Sequence, residues 1–254
     1  MKIAFIGSGN VAWHLAQALD KAGNEVVQIL SKTEANAKAL AVHFGAHFST
    51  NLSTLEHQAD LCLICVGDDQ LEEVVKGIPF FSGIIAHTCG PKPISFLSEK
   101  TQQYGSFYPL QSFSKNRACD VKSCPFLLEA NQVNVLSTLS NLAFSISNSV
   151  QNVSGAERLK YHLAAVFANN FTNVMFQLSE QYLQKHNLDF NLLKPIILET
   201  GRKIQDLSPS ESQTGPAKRH DERTMQLHRG LLQNNPELLA LYNQITALIQ
   251  QDSN

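Results

Sequence analysis

The sequence predicts an α/β protein: a doubly wound, mostly parallel sheet, followed by an all-α region. Two observations predict this division. Short apolar segments alternate with helical segments as far as residue 152, as expected for successive βαβ units. From Gly155 onward, β-branched runs give way to long stretches of helical periodicity. We therefore expect two domains, residues 1–152 and residues 153–254, with their boundary in the polar Ser145–Ser154 stretch.

The first strand, turn and helix carry the most specific motif. The apolar segment Ile3–Ile6 runs into Gly7-x-Gly9-x-x-Ala12, and helical periodicity follows from Val11 to Ala22. This is the context of a dinucleotide-binding fingerprint, because the first glycine permits a tight turn and the second lets a pyrophosphate approach the backbone. The helix N-terminus then directs free amides at the phosphates. The alternative is a tight turn that holds no ligand. The predicted cofactor contacts here are Gly7, Ser8, Gly9, Asn10 and Val11.

The end of the second strand indicates which dinucleotide is bound. An acidic residue after Glu25–Leu30 would accept the ribose 2′-hydroxyl of NAD, but the chain has Ser31-Lys32-Thr33 there. A cation and two hydroxyls favour a 2′-phosphate, so we expect NADP in preference to NAD, bound through Ser31 and Lys32. The alternative is that Lys32 is a solvated residue at the start of the next helix.

Three later strands also end in polar loops. The apolar run Asp60–Val66 leads into a turn that we expect at the nicotinamide end of the cofactor, formed by Val66, Gly67 and Asp68. Asp68 is also a predicted N-cap of a helix over Gln70–Lys76. After the strands Ser82–Ala86 and Gln103–Phe107, the loops supply two predicted substrate contacts, His87 and Gln111. The alternative for the histidine is a satisfied loop residue.

The C-terminal half begins with one predicted long helix, Ala156–Lys185. His162, Asn169 and Asn173 are spaced seven and four residues apart, which places them on one face of that helix. They form either the lining of a polar ligand site or a solvated stripe. Lys160 enters near the expected domain boundary. The later helices are predicted over Leu192–Leu207, Glu222–Gln233 and Pro236–Gln250.

A second polar stretch, Gln213–His228, is dense in charge. Thr214-Gly215-Pro216 is a turn that sets the next helix, and Asp221 is a predicted cap of that helix. The predicted substrate contacts here are Arg219, Asp221 and His228. The alternative is a charged solvent loop. No metal is expected, because the neighbouring arginines would repel a cation.

Composition limits the partners. A net charge of −2 argues against nucleic acid, because no basic excess is available to neutralise phosphates. No apolar run approaches the length of a membrane span, and a strand begins at residue 2 where a signal peptide would need an apolar segment, so we expect a cytoplasmic protein. The five cysteines are odd in number and lack metal-ligand spacing, which predicts buried reduced thiols.

Five motifs together resemble those of a known protein family. They are the glycine turn, Val66-Gly-Asp-Asp69, His87-Thr-Cys-Gly90, Tyr108-Pro-Leu-Gln-Ser-Phe113 and Thr214-Gly-Pro-Ala-Lys-Arg219-x-Asp221. The chain resembles an uncharacterised bacterial family with a Rossmann-like N-terminal domain and a C-terminal helical domain of unknown function. That family is similar to pyrroline-5-carboxylate reductases, ketopantoate reductases, 6-phosphogluconate and β-hydroxyacid dehydrogenases, and deazaflavin-dependent NADP reductases. The resemblance implies a homodimer that forms through the helical domain.

The chain departs from these relatives at three positions. Cys89 stands where the family usually has serine, and His220 stands where it usually has glycine. In the characterised dehydrogenases, an asparagine follows the catalytic lysine by four residues, whereas Ala164 follows Lys160 here. The spacing therefore does not support Lys160 as the proton donor.

Two functional hypotheses follow. The first is an NADP-dependent oxidoreductase that moves a hydride between nicotinamide and a small polar, carboxylate-bearing carbonyl or imine. Lys160 or His162 would transfer the proton, Asn169 would orient the substrate, and Arg219 would bind its anionic group. The second is a dinucleotide-binding sensor or scaffold without turnover. The predicted substrate contacts are His87, Gln111, Asn173, Arg219, Asp221 and His228.

Overall fold

The computed structural model describes residues 1–251. The chain divides into two compact units, Met1–Val174 and Met175–Asn254. The predicted domain boundary between residues 152 and 153 stays a prediction. No helix among the described residues is long and apolar enough to cross a bilayer.

The first unit is built on one sheet of eight strands, ordered β3-β2-β1-β4-β5-β6-β7-β8. Every neighbouring pair is parallel except β6 and β7, which are antiparallel. The prediction of a doubly wound, mostly parallel sheet followed by a helical region is confirmed. The strands are Lys2–Ile6 (β1), Glu25–Leu30 (β2), His47–Ser49 (β3), Leu61–Ile64 (β4), Ile84–His87 (β5), Gln103–Pro109 (β6), Phe126–Ala130 (β7) and Val150–Asn152 (β8).

Alternation along β1 separates two apolar layers, one on each face of the sheet. Ile3 and Phe5 pack in a core with the helices Asn10–Lys21, Glu34–Ala41 and Val133–Phe144, whereas Ala4 and Ile6 pack in a second core with the helix Leu71–Gly77. All strand residues from Ile3 to Ile6 are buried, as expected for a strand that is covered on both faces. The helices of this unit are Asn10–Lys21 (α1), Glu34–Ala41 (α2), Leu71–Gly77 (α3), Val133–Phe144 (α4) and Gly155–Ala165 (α5).

The predicted long helix from Ala156 to Lys185 is interrupted. A capping box between Ser154 and Glu157 starts α5, a π-helical segment follows over Val166–Phe171, and a further helix spans Thr172–Lys185 (α6). Apolar periodicity does not distinguish a π turn from an α turn, so the sequence predicted one regular helix. Positions along this helix therefore do not keep the 3.6-residue spacing assumed in the prediction.

The remaining helices are Lys194–Asp206 (α7), Pro209–Ser212 (α8), Glu222–Leu232 (α9) and Pro236–Gln251 (α10). Asp221 caps α9 by accepting a hydrogen bond from the Thr224 amide at 3.1 Å, as predicted. The predicted cap at Asp68 is wrong. A turn that bonds the Gln70 amide to the Gly67 carbonyl at 2.9 Å delays the start of α3 to Leu71, and the cap position falls to Gln70.

Leu139 tests the packing of α4 on the sheet. Its side chain is fully buried and lies where Gly105 of β6 has no Cβ. We expect Leu139→Ala to lower the free energy of unfolding by about 2–5 kcal/mol, measured by urea denaturation, because it leaves a cavity. The control is Val133→Ala on the same helix, where the side chain is 86% exposed and the expected change is within about 0.5 kcal/mol. Equal losses in the two variants would contradict this account.

Candidate functional site

A cleft of about 620 Å³ opens at the carboxyl edge of the sheet, where β1, β2 and β4 end. Its volume lies in the usual range of small-molecule and cofactor sites. The predicted cofactor residues that line it are Gly7, Ser8, Gly9, Ser31, Lys32, Val66 and Gly67.

Two glycines give the cleft the form of a phosphate cradle. Gly7 has φ of +104°, and a Cβ on it would lie 2.2 Å from the Cys65 carbonyl oxygen, so no other residue fits this turn. A Cβ on Gly9 would meet nothing within 4 Å, which leaves its backbone open to the cleft. Gly9 is the N-cap residue of α1, and it provides no side-chain cap for the first amides of that helix. A phosphate can therefore reach these amides.

The end of β2 joins the same cleft. The Ser31 and Ser8 hydroxyls lie 2.7 Å apart, and Lys32 lines the cleft beside Asn36. The structure thus brings the residues predicted for the 2′-phosphate next to the glycine turn.

Three other predicted cofactor residues, Asn10, Val11 and Asp68, lie outside the lining of this cleft. The Asn10 side chain accepts a hydrogen bond from the Lys115 amide at 3.2 Å, and Val11 packs against the apolar core. Burial raises the pKa of the Cys89 thiol and of the Tyr108 phenol, and the negative charge of nearby Asp68 raises both further.

Lys115 is a cleft residue that the sequence did not single out. It lies in the segment after β6, far from the glycine turn along the chain. A lysine within a polar loop has no sequence signal that separates it from a solvated one.

A second group of polar residues surrounds Arg158 of α5, whose side chain is fully buried. The guanidinium donates to Glu129 Oε2 at 2.5 Å, to the Lys92 carbonyl at 2.6 Å and to the Gly90 carbonyl at 3.1 Å. Nothing in the sequence singles out this arginine, because its partners are distant along the chain. These bonds attach α5 both to β7 and to the loop after β5.

His87 ends β5 and is fully buried. Its Nδ1 accepts a hydrogen bond from the Cys89 amide at 3.1 Å, while Nε2 has no partner at hydrogen-bonding geometry among residues 1–251. Burial, with a contribution from the charge of Arg158, lowers the pKa of His87 to about 3, although the Pro93 carbonyl opposes this shift. His87 is therefore neutral, and its contact with substrate stays a prediction.

His162 and Tyr108 form a hydrogen-bonded pair, with His162 Nδ1 3.1 Å from the Tyr108 hydroxyl. A Cβ on Gly90 would lie 2.5 Å from the same Nδ1, so any other residue there would displace the imidazole from this position. Burial raises the pKa of Tyr108 to about 12, with a contribution from Asp68, and the phenol stays protonated. Tyr108 was missed as a site residue, although its place at the end of β6 was the available signal.

The other residues predicted on α5 to α6 do not join this pair. Lys160, Asn169 and Asn173 are exposed. Gln111 is also exposed, and its side chain accepts a hydrogen bond from the Ser112 amide at 2.8 Å.

In the second unit, the predicted substrate residues have local partners or are exposed. Asp221 accepts hydrogen bonds from Thr224, which lower the pKa of its carboxyl group. His228 Nδ1 lies 3.0 Å from the Tyr242 hydroxyl. Arg219 is exposed, and His220 beside it adopts φ of +53°, a left-handed conformation that favours glycine. Substrate binding by Arg219, Asp221 and His228 stays a prediction.

Comparisons with known proteins agree with this geometry. Residues 2–85 match the family model described as NADP oxidoreductase coenzyme F420-dependent. Residues 124–249 match the family model described as domain of unknown function DUF2520. No protein of curated function matches the chain.

Solved structures are similar over nearly the whole chain. A protein from Bacteroides fragilis described as a "putative NADP oxidoreductase" is 37% identical, with 98% of each chain covered and a TM-score of 0.90. A protein from Thermotoga maritima is 22% identical, with 99% of each chain covered and a TM-score of 0.84. The 1-pyrroline-5-carboxylate reductase of Streptococcus pyogenes is 15% identical, with 99% of this chain and 98% of that chain covered and a TM-score of 0.67. The last two similarities establish the fold alone.

The glycine cradle, the open N-terminus of α1 and the hydroxyl and lysine groups after β2 fit a dinucleotide with phosphates at both places. With 37% identity over 98% of its length to the Bacteroides fragilis protein, the chain belongs to the family of NADP oxidoreductases that join a Rossmann-like N-terminal domain to a helical domain of unknown function.

Proposed function

We propose that the protein is an NADP-dependent oxidoreductase that acts on a small polar carbonyl or imine bearing a carboxylate. The observation that carries this proposal is the cleft in which the glycine turn and the Ser31–Lys32 segment face the same space. When bound there, the nicotinamide cofactor supplies or accepts the hydride.

The cofactor preference rests on charge. Ser31 and Lys32 line the cleft, and residues 31–33, directly after β2, include no carboxylate to accept a ribose hydroxyl. The backbone of Gly7 and Gly9 and the first amides of α1 bind the pyrophosphate, while Lys32 neutralises a 2′-phosphate. Bound NADP in the structure of a Plasmodium falciparum pyrroline carboxylate reductase, a protein of this fold at 12% identity, is compatible with this preference.

We assign the transfer of the proton that accompanies the hydride to His162 in preference to Lys160. His162 is held by the Tyr108 hydroxyl at 3.1 Å, whereas Lys160 is exposed. A general acid needs a fixed position within hydrogen-bonding reach of the reacting atom, and the Tyr108 contact gives the imidazole such a position. In this proposal Arg219 binds the substrate carboxylate and Asn169 orients the substrate.

We also propose a cytoplasmic homodimer that forms through the helical region. Support comes from large apolar side chains left exposed on the helices of each unit, since contiguous exposed apolar surface commonly marks an interface. Those with more than half of their surface exposed include Leu163, Phe167, Leu192, Ile196 and Leu198.

Titration of the protein with NADPH and with NADH tests the cofactor assignment. The only tryptophan, Trp13 on α1, reports binding through quenching and energy transfer to the nicotinamide. We expect tight NADPH binding and weak NADH binding. Lys32→Met should weaken NADPH binding about tenfold through loss of a charge-assisted bond and leave NADH unchanged. Failure of both nucleotides to bind would remove the oxidoreductase proposal.

Steady-state oxidation of NADPH with a panel of keto acids and imines tests the proton donor. We expect His162→Ala to lower kcat about a hundredfold with little change in NADPH affinity, since general acid catalysis contributes at least this much. Lys160→Met is the matched control and should keep its activity. A larger loss in the lysine variant would reverse the assignment, and nucleotide binding without turnover of any substrate would favour the sensor or scaffold.

Sedimentation at micromolar concentration tests the dimer. We expect the wild-type chain to be dimeric and the double variant Leu192→Asp with Ile196→Asp to be monomeric, because the charges oppose burial of this surface. Val133→Asp places the same charge on an exposed valine of α4 and should leave the dimer intact. A monomeric wild-type chain would overturn the proposal.

A further inference from the structure

The segment after β6, residues 110–118, packs against helix α1 and is hydrogen-bonded to it. Phe113 stacks on the His14 ring, with centroids 5.1 Å apart and planes at 23°. His14 Nε2 lies 2.9 Å from the Ser114 carbonyl oxygen, and Asn10 Oδ1 accepts from the Lys115 amide at 3.2 Å. Both Phe113 and His14 are buried, so these contacts give residues 113–115 a fixed position beside the first turn of the helix.

This attachment carries the Lys115 side chain into the cleft that holds the glycine turn. Its ammonium group lies 5.4 Å from the centroid of the Trp13 ring. Among residues 1–251, no carboxylate pairs with Lys115 within 4.0 Å, and Glu73, which also lines the cleft, is not paired with either of the cleft lysines.

Within the described part of the chain, the cleft therefore contains two cations, Lys32 and Lys115, that have no ion-pair partner. Like charges that line one cleft raise its positive potential and attract an anion. The contact of an exposed ammonium with an aromatic ring is weak, whereas a charge-assisted bond to a phosphate is strong. Lys115 therefore exchanges its contact with the tryptophan ring readily for a bond to a phosphate.

We propose that Lys115 is a phosphate ligand of the bound dinucleotide, and that its ammonium leaves the Trp13 ring when the nucleotide enters. The inference rests on the proposed function, because it assigns a further residue to the same cofactor site. The 2′-phosphate and the pyrophosphate offer the same chemistry to the lysine, and their contributions separate when NADPH is compared with NADH.

Calorimetric titration of the full-length protein measures this role without reference to turnover. We expect Lys115→Met to raise the Kd for NADPH by about tenfold or more, and Lys115→Arg to keep most of the affinity because it keeps the charge. Lys21→Met, which removes an exposed lysine at the opposite end of α1, should bind as the wild type does. A loss for NADPH alone assigns Lys115 to the 2′-phosphate, and an equal loss for both nucleotides assigns it to the pyrophosphate.

The emission of Trp13 gives an independent reading. Lys115→Met should change the emission of the free protein, because the cation leaves the ring, and should reduce the salt dependence of NADPH binding. Urea midpoints equal to that of the wild type establish that the variants are folded. Wild-type affinity for both nucleotides in Lys115→Met would overturn this inference and leave the proposed function standing. A wild-type protein that binds neither nucleotide would overturn both.

Discussion

The arrangement of the polar residues around α5 depends on one buried charge, the guanidinium of Arg158. A fully buried cation is costly unless its charge is paired and its nitrogens are hydrogen-bonded, and here each of the three guanidinium nitrogens donates to one carboxylate or carbonyl oxygen. Removal of one partner from such a pair costs about 3–5 kcal/mol in general. Because the acceptors lie on β7 and on the loop after β5, the arginine fixes where α5 meets the edge of the sheet. The position of His162, one turn further along α5, follows from this contact.

The fold was predictable because its signals are local. Strand β2 occupies its predicted residues, Glu25–Leu30, and α1 ends at Lys21, one residue before the predicted end of the helical periodicity at Ala22. The rule that ligands bind at the carboxyl ends of parallel strands then located the cleft before any contact was known. Periodicity and turn chemistry sufficed for this level of description.

The contacts of the candidate site that the sequence did not predict have a common physical cause. Tyr108 and His162 are 54 residues apart, and Asn10 and Lys115 are 105 residues apart. A single sequence does not reveal which distant polar groups will meet, so these pairs were absent from the prediction. The π-helical segment was missed for another reason, because its apolar pattern is also that of an α-helix. This segment breaks the regular spacing that would place His162, Asn169 and Asn173 on one face, and of the three, His162 has a hydrogen-bond partner in the site.

The contact between Gly90 and His162 has a consequence for how this family can change in evolution. A side chain at position 90 would collide with the imidazole, so glycine there is fixed for as long as residue 162 is a histidine of this orientation. A smaller residue at 162 would remove that restriction. The two positions are thus expected to vary together across relatives, and relatives that retain the histidine should retain the glycine, although that glycine has no side chain with which to bind anything.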